Sequence, residues 1–205
     1  MTIMPIATGR IDGRSYLIYD GGEAAVIDPD INVPAIQAAL EASGEQLKWI
    51  LLTHCHFDHT AGVAALREHT GAAVAIHELD APGLNDQSVN MTSFFRQPPT
   101  TGILVDRQLR EGDTIPLGSA TLTALHTPGH TVGGCCYLSS DGNLFTGDTL
   151  FRGSYGTTLA TGGDMNALRT SVERLYALDE NLVIWPGHGH KSTIGRERRL
   201  DLIHK

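Results

Sequence analysis

Residues 54 to 59, HCHFDH, set three histidines, an aspartate and a cysteine in six positions behind the apolar run WILLT. Imidazoles and carboxylates bind divalent cations, and a hydrolytic metal site needs about three such ligands and an open position. His54 and His56 stand two apart, so in extended chain their rings leave on the same side and can share one ion. Cys55 points the other way and reads as a small packed thiol. Asp58 and His59 follow as the chain turns, aimed at a neighbouring point. One loop therefore contributes to two ions and completes neither.

Three further candidates lie far along the chain: His130 in ALHTPGHT, Asp148 in LFTGD and His188 in VIWPGHG. Each stands just after a β-like run, and each follows a glycine, which lets the backbone bend and turns the next side chain inward. A single histidine in such a place reads as a surface or hydrogen-bonded core group. Five histidines and two aspartates in a repeated arrangement point to metal chemistry.

The elements that must carry these residues alternate between strands and helices. SYLIYD, a Gly-Gly turn and EAAVIDP read as a hairpin. Val33, Ile36, Ala39 and Leu40 fall at helical spacing over residues 32 to 43, with Gly44 as the stop. Residues 49 to 53 form an apolar run suited to a strand buried on both faces. A helix follows through Val63 and Leu66 to Gly71, so HCHFDH occupies a strand-to-helix loop. Residues 79 to 112 show no clear periodicity, and Phe94 and Phe95 there suit either a lid or packing on the scaffold. Strand-like runs return as DTIPLG, ATLTALH, GCCYLSS and NLFTGD, then a helix over 164 to 178, then NLVIWP. His126 reads as structural, and His69 and His77 as surface residues at a helix or strand end.

Taken in order, THCHFDH, TPGHT, TGD and PGHG resemble the metal motifs of the metallo-β-lactamase superfamily, and most closely those of its short glyoxalase II-like hydrolases. The resemblance runs from VIDP at 26 to 29, through LFRGS at 150 to 154, to TIGRERR at 193 to 199. It implies one domain over residues 1 to 205, an α/β fold in which two mixed β-sheets pack as an αββα sandwich flanked by helices. It also implies two divalent metal ions, zinc foremost, with iron and manganese also suited to such ligands. His54, His56 and His130 then hold the first metal, Asp58, His59 and His188 the second, and Asp148 bridges them. Asp28 is a supporting aspartate behind the ligands, and Arg152, Tyr155 and His190 are candidate substrate contacts.

The activity implied is hydrolysis of a small acyl thioester, S-lactoylglutathione or a relative, by a hydroxide shared between the ions, with Asp58 orienting it. Long glyoxalase II proteins also grip glutathione through a basic residue, a tyrosine and a C-terminal helical domain. Here Thr157 and Leu159 occupy the corresponding positions, and the sequence shows no such domain. The alternatives are a persulfide dioxygenase-like enzyme with a single iron, a lactonase, or a non-catalytic metal binder, the last disfavoured because all seven ligand positions are filled. With 15 Lys and Arg against 23 Asp and Glu, a charge of −8 and no basic block, nucleic acid is not an expected partner. No stretch approaches the roughly 20 apolar residues of a membrane span, and no export signal is readable at the N-terminus. A soluble, cytoplasmic protein is expected. Three cysteines, two of them adjacent, argue against a disulfide framework.

Overall fold

The computed structural model describes residues 1–7, 13–99 and 102–205. Its first half builds one mixed sheet. Strands β1 (Thr2–Ala7), β2 (Arg14–Asp20) and β3 (Glu23–Ile27) follow in order, each antiparallel to the next. Helix α1 (Val33–Ser43) crosses to β4 (Gln46–Leu51), parallel to β3. Short α2 (Phe57–Thr60) and α3 (Val63–Thr70) lead to β5 (Ala73–His77), and β6 (Arg107–Leu109) closes the sheet in the order β1 to β6. Two of these helices end at a glycine in the left-handed region, Gly44 (φ 70°) after α1 and Gly71 (φ 71°) after α3, a conformation costly for other residues.

The second half repeats the layer. Strands β7 (Thr114–Leu117), β8 (Ala120–His126), β9 (Cys135–Ser139) and β10 (Asn143–Gly147) form an antiparallel meander. A two-stranded ribbon, β11 (Leu150–Phe151) and β12 (Ser154–Tyr155), precedes helix α4 (Met165–Tyr176). Strand β13 (Val183–Pro186) then joins β10 in parallel, β14 (Ser192–Thr193) pairs with β13, and α5 (Ile194–Leu200) follows. Asp164 caps α4 by accepting from the N–H groups of Asn166 and Ala167, a contact worth about 1 kcal/mol.

Three apolar layers account for the αββα architecture. Between the sheets lie Tyr16, Ile18, Ile27 and Leu51 from the first and Leu122, Tyr137 and Phe145 from the second. Ile36, Val63 and Leu66 seal the helices on the outer face of the first sheet, and Leu168, Val172 and Ile194 those on the second. Burying each such side chain contributes about 1.5–3 kcal/mol. Two phenols then tie the sheets where the functional loops leave them. Tyr137 Oη donates to the Leu52 carbonyl (2.8 Å) and Tyr16 Oη to that of Pro186 (2.6 Å), each just ahead of a ligand loop.

Several local expectations need correction. The strand expected at 49 to 53 is Gln46–Leu51, so the chain has left the sheet before His54, and Asp58 and His59 sit inside α2. The 79 to 112 segment is not wholly irregular, because it holds a 3-10 turn at Ala81–Asn85 and strand β6. His77 is not a surface residue. At 3% exposure it ends β5 and stacks on His126, 4.1 Å between ring centroids, because β5 lies inside its sheet rather than at a rim. Among the described residues, no helix is long and apolar enough to cross a membrane.

Candidate metal centre

All the loops that carry the seven candidate ligands open at one end of the sandwich. His54 and His56 leave the end of β4, and His130, Asp148 and His188 follow β8, β10 and β13. Glycine matters at two of these exits. Gly147 holds φ 46°, and at Gly187 a Cβ would come within 2.4 Å of Asp148 Oδ1 and 2.6 Å of His59 Cε1. A side chain at Gly187 would occupy the space the ligands converge on.

The ligand atoms form two groups with a carboxylate between them. In the first, the nitrogens of His54, His56 and His130 lie within 4.8 Å of one another, with His130 Nε2 3.0 Å from His56 Nδ1. In the second, Asp58, His59 and His188 converge equally, with His59 Nε2 3.2 Å from His188 Nε2. Asp148 Oδ2 lies 3.5 Å from His130 and 3.4 Å from His188, and its Oδ1 lies 3.4 Å from His59. The first group is buried, whereas Asp58 and His188 in the second are partly exposed.

A set of hydrogen bonds fixes which ring nitrogen faces inward. Thr53 Oγ1 donates to Asp28 Oδ2 (2.6 Å), which leaves it to accept from His54 Nδ1 (3.1 Å). His59 Nδ1 donates to Asp28 Oδ2 (3.1 Å), and His130 Nδ1 donates to the Thr157 carbonyl (2.6 Å). With each ring neutral, its Nε2 lone pair faces the centre, the arrangement by which outer partners set a ligand's tautomer. Asp28 also accepts from the Thr53 N–H at 2.8 Å and holds a left-handed φ of 51°, an uncommon backbone for a residue with a side chain.

The electrostatics separate the two groups. Burial, reinforced by neighbouring histidines, pushes His54 well below the usual imidazole range and His56 down to about 3, which keeps both neutral. Burial also opposes charge on His59, but the Asp148 and Asp58 carboxylates outweigh it and lift His59 to about 10. His188 rises for the same reason, with its hydrogen bond to Asp148 prevailing over burial. Burial would raise Asp148, yet His59 and His188 hold it well below the ordinary carboxylate range. Positive charge is therefore favoured around Asp148, His59 and His188, and disfavoured on His54 and His56.

Divalent cations fit this donor set on an observation independent of any resemblance. His54 Nε2, His56 Nε2 and Asp148 Oδ1 are buried and have no hydrogen-bond partner. A buried polar atom left unpaired costs about 1–3 kcal/mol, and a cation would supply the missing partner.

The other candidates do not belong to the converging ligand groups. Arg152 is exposed on the turn between β11 and β12, and Tyr155 packs against the apolar layer under α4 and α5. His190 is exposed in a separate depression with Arg14, Trp185 and Lys191. Cys55 is buried, and burial pushes its thiol far up, which leaves it no thiolate to offer. Phe95 makes a ring contact with Phe57 at 5.4 Å, while Phe94 stands 73% exposed.

Sequence reasoning missed Asp80. Its Oδ2 accepts from the Cys55 N–H (3.0 Å) and Thr131 Oγ1 (2.8 Å), and its Oδ1 from the Gly133 N–H (2.6 Å). This buried carboxylate joins the loop of His54 and His56 to that of His130. No spacing in HELDAP announces it.

Comparison with known proteins agrees with this geometry. The sequence profile of the metallo-beta-lactamase superfamily matches residues 8–188. The hydroxyacylglutathione hydrolase GloC of Haemophilus influenzae is 33% identical over 203 residues, covering 97% of this chain and 96% of its own. Among solved structures, the B3 metallo-beta-lactamase BLEG-1 superposes with a TM-score of 0.91 at 33% identity, over 97% of both chains. TTHA1623 in a di-iron-bound form gives 0.86 at 34% identity, over 96% of this chain and 98% of that one.

Proposed function

The chain belongs to the metallo-beta-lactamase superfamily, and from that premise we propose that it hydrolyses small acyl thioesters, with two divalent metal ions held by its seven converging side chains. The observation that carries this reading is Asp148, whose two oxygens lie within 3.5 Å of ligand nitrogens from both groups. His54, His56 and His130 would hold one ion and Asp58, His59 and His188 the other, with Asp148 shared. When bound, such ions supply a water activated near neutral pH and a Lewis acid for the carbonyl.

The chain's own residues supply the rest. Asp58 is partly exposed, with its Oδ2 3.6 Å from His188 Nε2, and in this reading it holds the proton of an attacking water. The leaving thiolate needs little help, because a thiol of pKa about 8.5 departs readily as the anion. A thioester therefore asks less of the centre's proton-transfer groups than an amide does. Asp58→Ala is expected to lower kcat/KM by at least about 10² on the best thioester, the lower range for a positioned proton-transfer group. Metal content measured on the same sample separates this loss from loss of an ion, and activity within a few-fold of wild type would remove Asp58 from the role.

Glutathione itself is a poor fit. Thr157 carries no charge and is committed through its carbonyl to His130, and Leu159 projects into solvent at 94% exposure. A charge-assisted contact is worth about 1.5–3 kcal/mol, so kcat/KM for S-lactoylglutathione should lie roughly ten- to a hundredfold below that of an enzyme that makes the contact, and a thioester with a smaller thiol should turn over equally well or better. Steady-state kinetics on the two substrates checks this, and a low micromolar KM for S-lactoylglutathione contradicts it.

The deciding experiment measures metal content of protein purified without added metal, with a thioester panel and oxygen uptake on the same preparation. Two ions per chain with thioester cleavage support the proposal. One iron per chain with oxygen uptake and no cleavage replaces it with the dioxygenase.

A further inference from the structure

Resting on the thioesterase reading, the geometry points to an apolar acyl-binding pocket beside the first metal group, formed by Met91, Phe94, Phe95, Thr157 and Leu159, which selects thioesters with hydrocarbon acyl chains. The depression there holds about 670 Å³, within the range of roughly 300–1,000 Å³ usual for small-molecule clefts. Ser88, Ser93, Ala160 and Thr161 complete its walls, so none of its lining residues is charged.

Two contacts join it to the centre. Thr157, on one wall, accepts the Nδ1 hydrogen of His130 through its carbonyl at 2.6 Å. Phe95, on the other, packs 5.4 Å from Phe57, which lies between His56 and Asp58 in the chain. The pocket is thus one residue removed from each of the loops that carry the first metal group, through Thr157 to His130 and through Phe95 to Phe57. Phe94 (73%), Phe95 (45%) and Leu159 (94%) are unusually exposed for apolar residues, and they sit together here.

The two halves of a thioester differ in what they ask of such walls. Common carrier thiols are polar and ionised, and an uncharged apolar lining offers them no partner. The acyl half is the part that gains by leaving water. Each buried methylene contributes enough to raise binding about two- to fourfold.

The test uses N-acetylcysteamine thioesters from acetyl to octanoyl on the metal-loaded protein, compared with Leu159→Asp and Phe94→Ser. Both side chains are mostly exposed, so neither change touches the core. In the wild type, kcat/KM is expected to climb about two- to fourfold per methylene over the first several carbons. In each variant the octanoyl to acetyl ratio is expected to fall at least about tenfold. Calorimetric titration with octanamide and acetamide adds an arm independent of turnover: octanamide binding that Leu159→Asp abolishes supports the pocket even if no thioester is cleaved, an outcome that would sink the thioesterase reading alone. A flat or falling series in an active wild type overturns the inference, as does a slope unchanged in both variants or the absence of octanamide binding in an inactive protein. A flat series with a dimer dispersed by Leu159→Asp assigns the pocket to a second copy of the chain and also overturns it.

Discussion

Removing divalent metal is expected to reduce thioester hydrolysis to the uncatalysed background and to lower Tm by about 5–10 °C. The stability part follows from atoms already in place. Among the described residues, His54 Nε2, His56 Nε2 and Asp148 Oδ1 are buried without a hydrogen-bond partner, and the ring nitrogens of His56 and His130 face each other at 3.0 Å. A ligand present at 100 times its Kd stabilises the folded state by about 2.7 kcal/mol, and each kcal/mol moves a domain of this size by about 2–4 °C. Calorimetry on chelator-treated protein, then on the same sample dialysed against zinc, iron or manganese, should show Tm and activity returning together. Activity that persists after chelation, with Tm unmoved, would leave the centre with no role in either.

Asp80→Ala is expected to destabilise the fold by about 3–5 kcal/mol and to weaken metal binding at the first group by roughly ten- to a hundredfold. The variant strands two backbone N–H groups, those of Cys55 and Gly133, together with the Thr131 hydroxyl. Asp80 is 1% exposed, so water does not readily replace it. The loops it joins carry His54 and His56 on one side and His130 on the other. Asp80→Asn, which keeps one acceptor oxygen, should fall between wild type and alanine. Urea denaturation gives the stability and competition with a chelator gives the affinity. A variant within about 1 kcal/mol of wild type and with unchanged affinity would show that the two loops hold their places without this carboxylate.

The contrast between Asp148 and Asp80 shows what the sequence made legible. Asp148 follows a strand and a glycine, as do His130 and His188, so a local pattern reveals it. Asp80 acts through backbone groups 25 and 53 positions away, and long-range hydrogen bonding leaves no period in the chain. The same division runs through the fold. The hairpin of β2 and β3, helix α1 and helix α4 were readable because turn residues, caps and spacing agree there. Strand β1 was not, since TIMPIA lacks alternation and carries Pro5 on an edge strand, where proline is tolerated. Strand β5 is five residues, AVAIH, too short for its period to declare itself. That omission also misplaced His77, whose burial depends on neighbours in the sheet. Arg152 and Tyr155, expected as substrate contacts, belong to the ribbon whose Phe151 ring lies 5.8 Å from that of His188, and no period or spacing in the chain says whether they or His190 face the centre.

The first sheet uses β1 to β6 and the second β7 to β14 apart from the ribbon of β11 and β12, so the two layers are consecutive in the chain. The ligands divide along that seam, four before it and three after. Each group draws from both sides: His54 and His56 with His130, and Asp58 and His59 with His188. Parting the layers at that end breaks both groups in one motion, and an ion in either group resists that motion. Release of an ion from the buried first group is then expected to be coupled to opening of the seam. Amide hydrogens of β4 and β10 at the ligand end should exchange with solvent in step with the ions, more slowly as the ions bind more tightly.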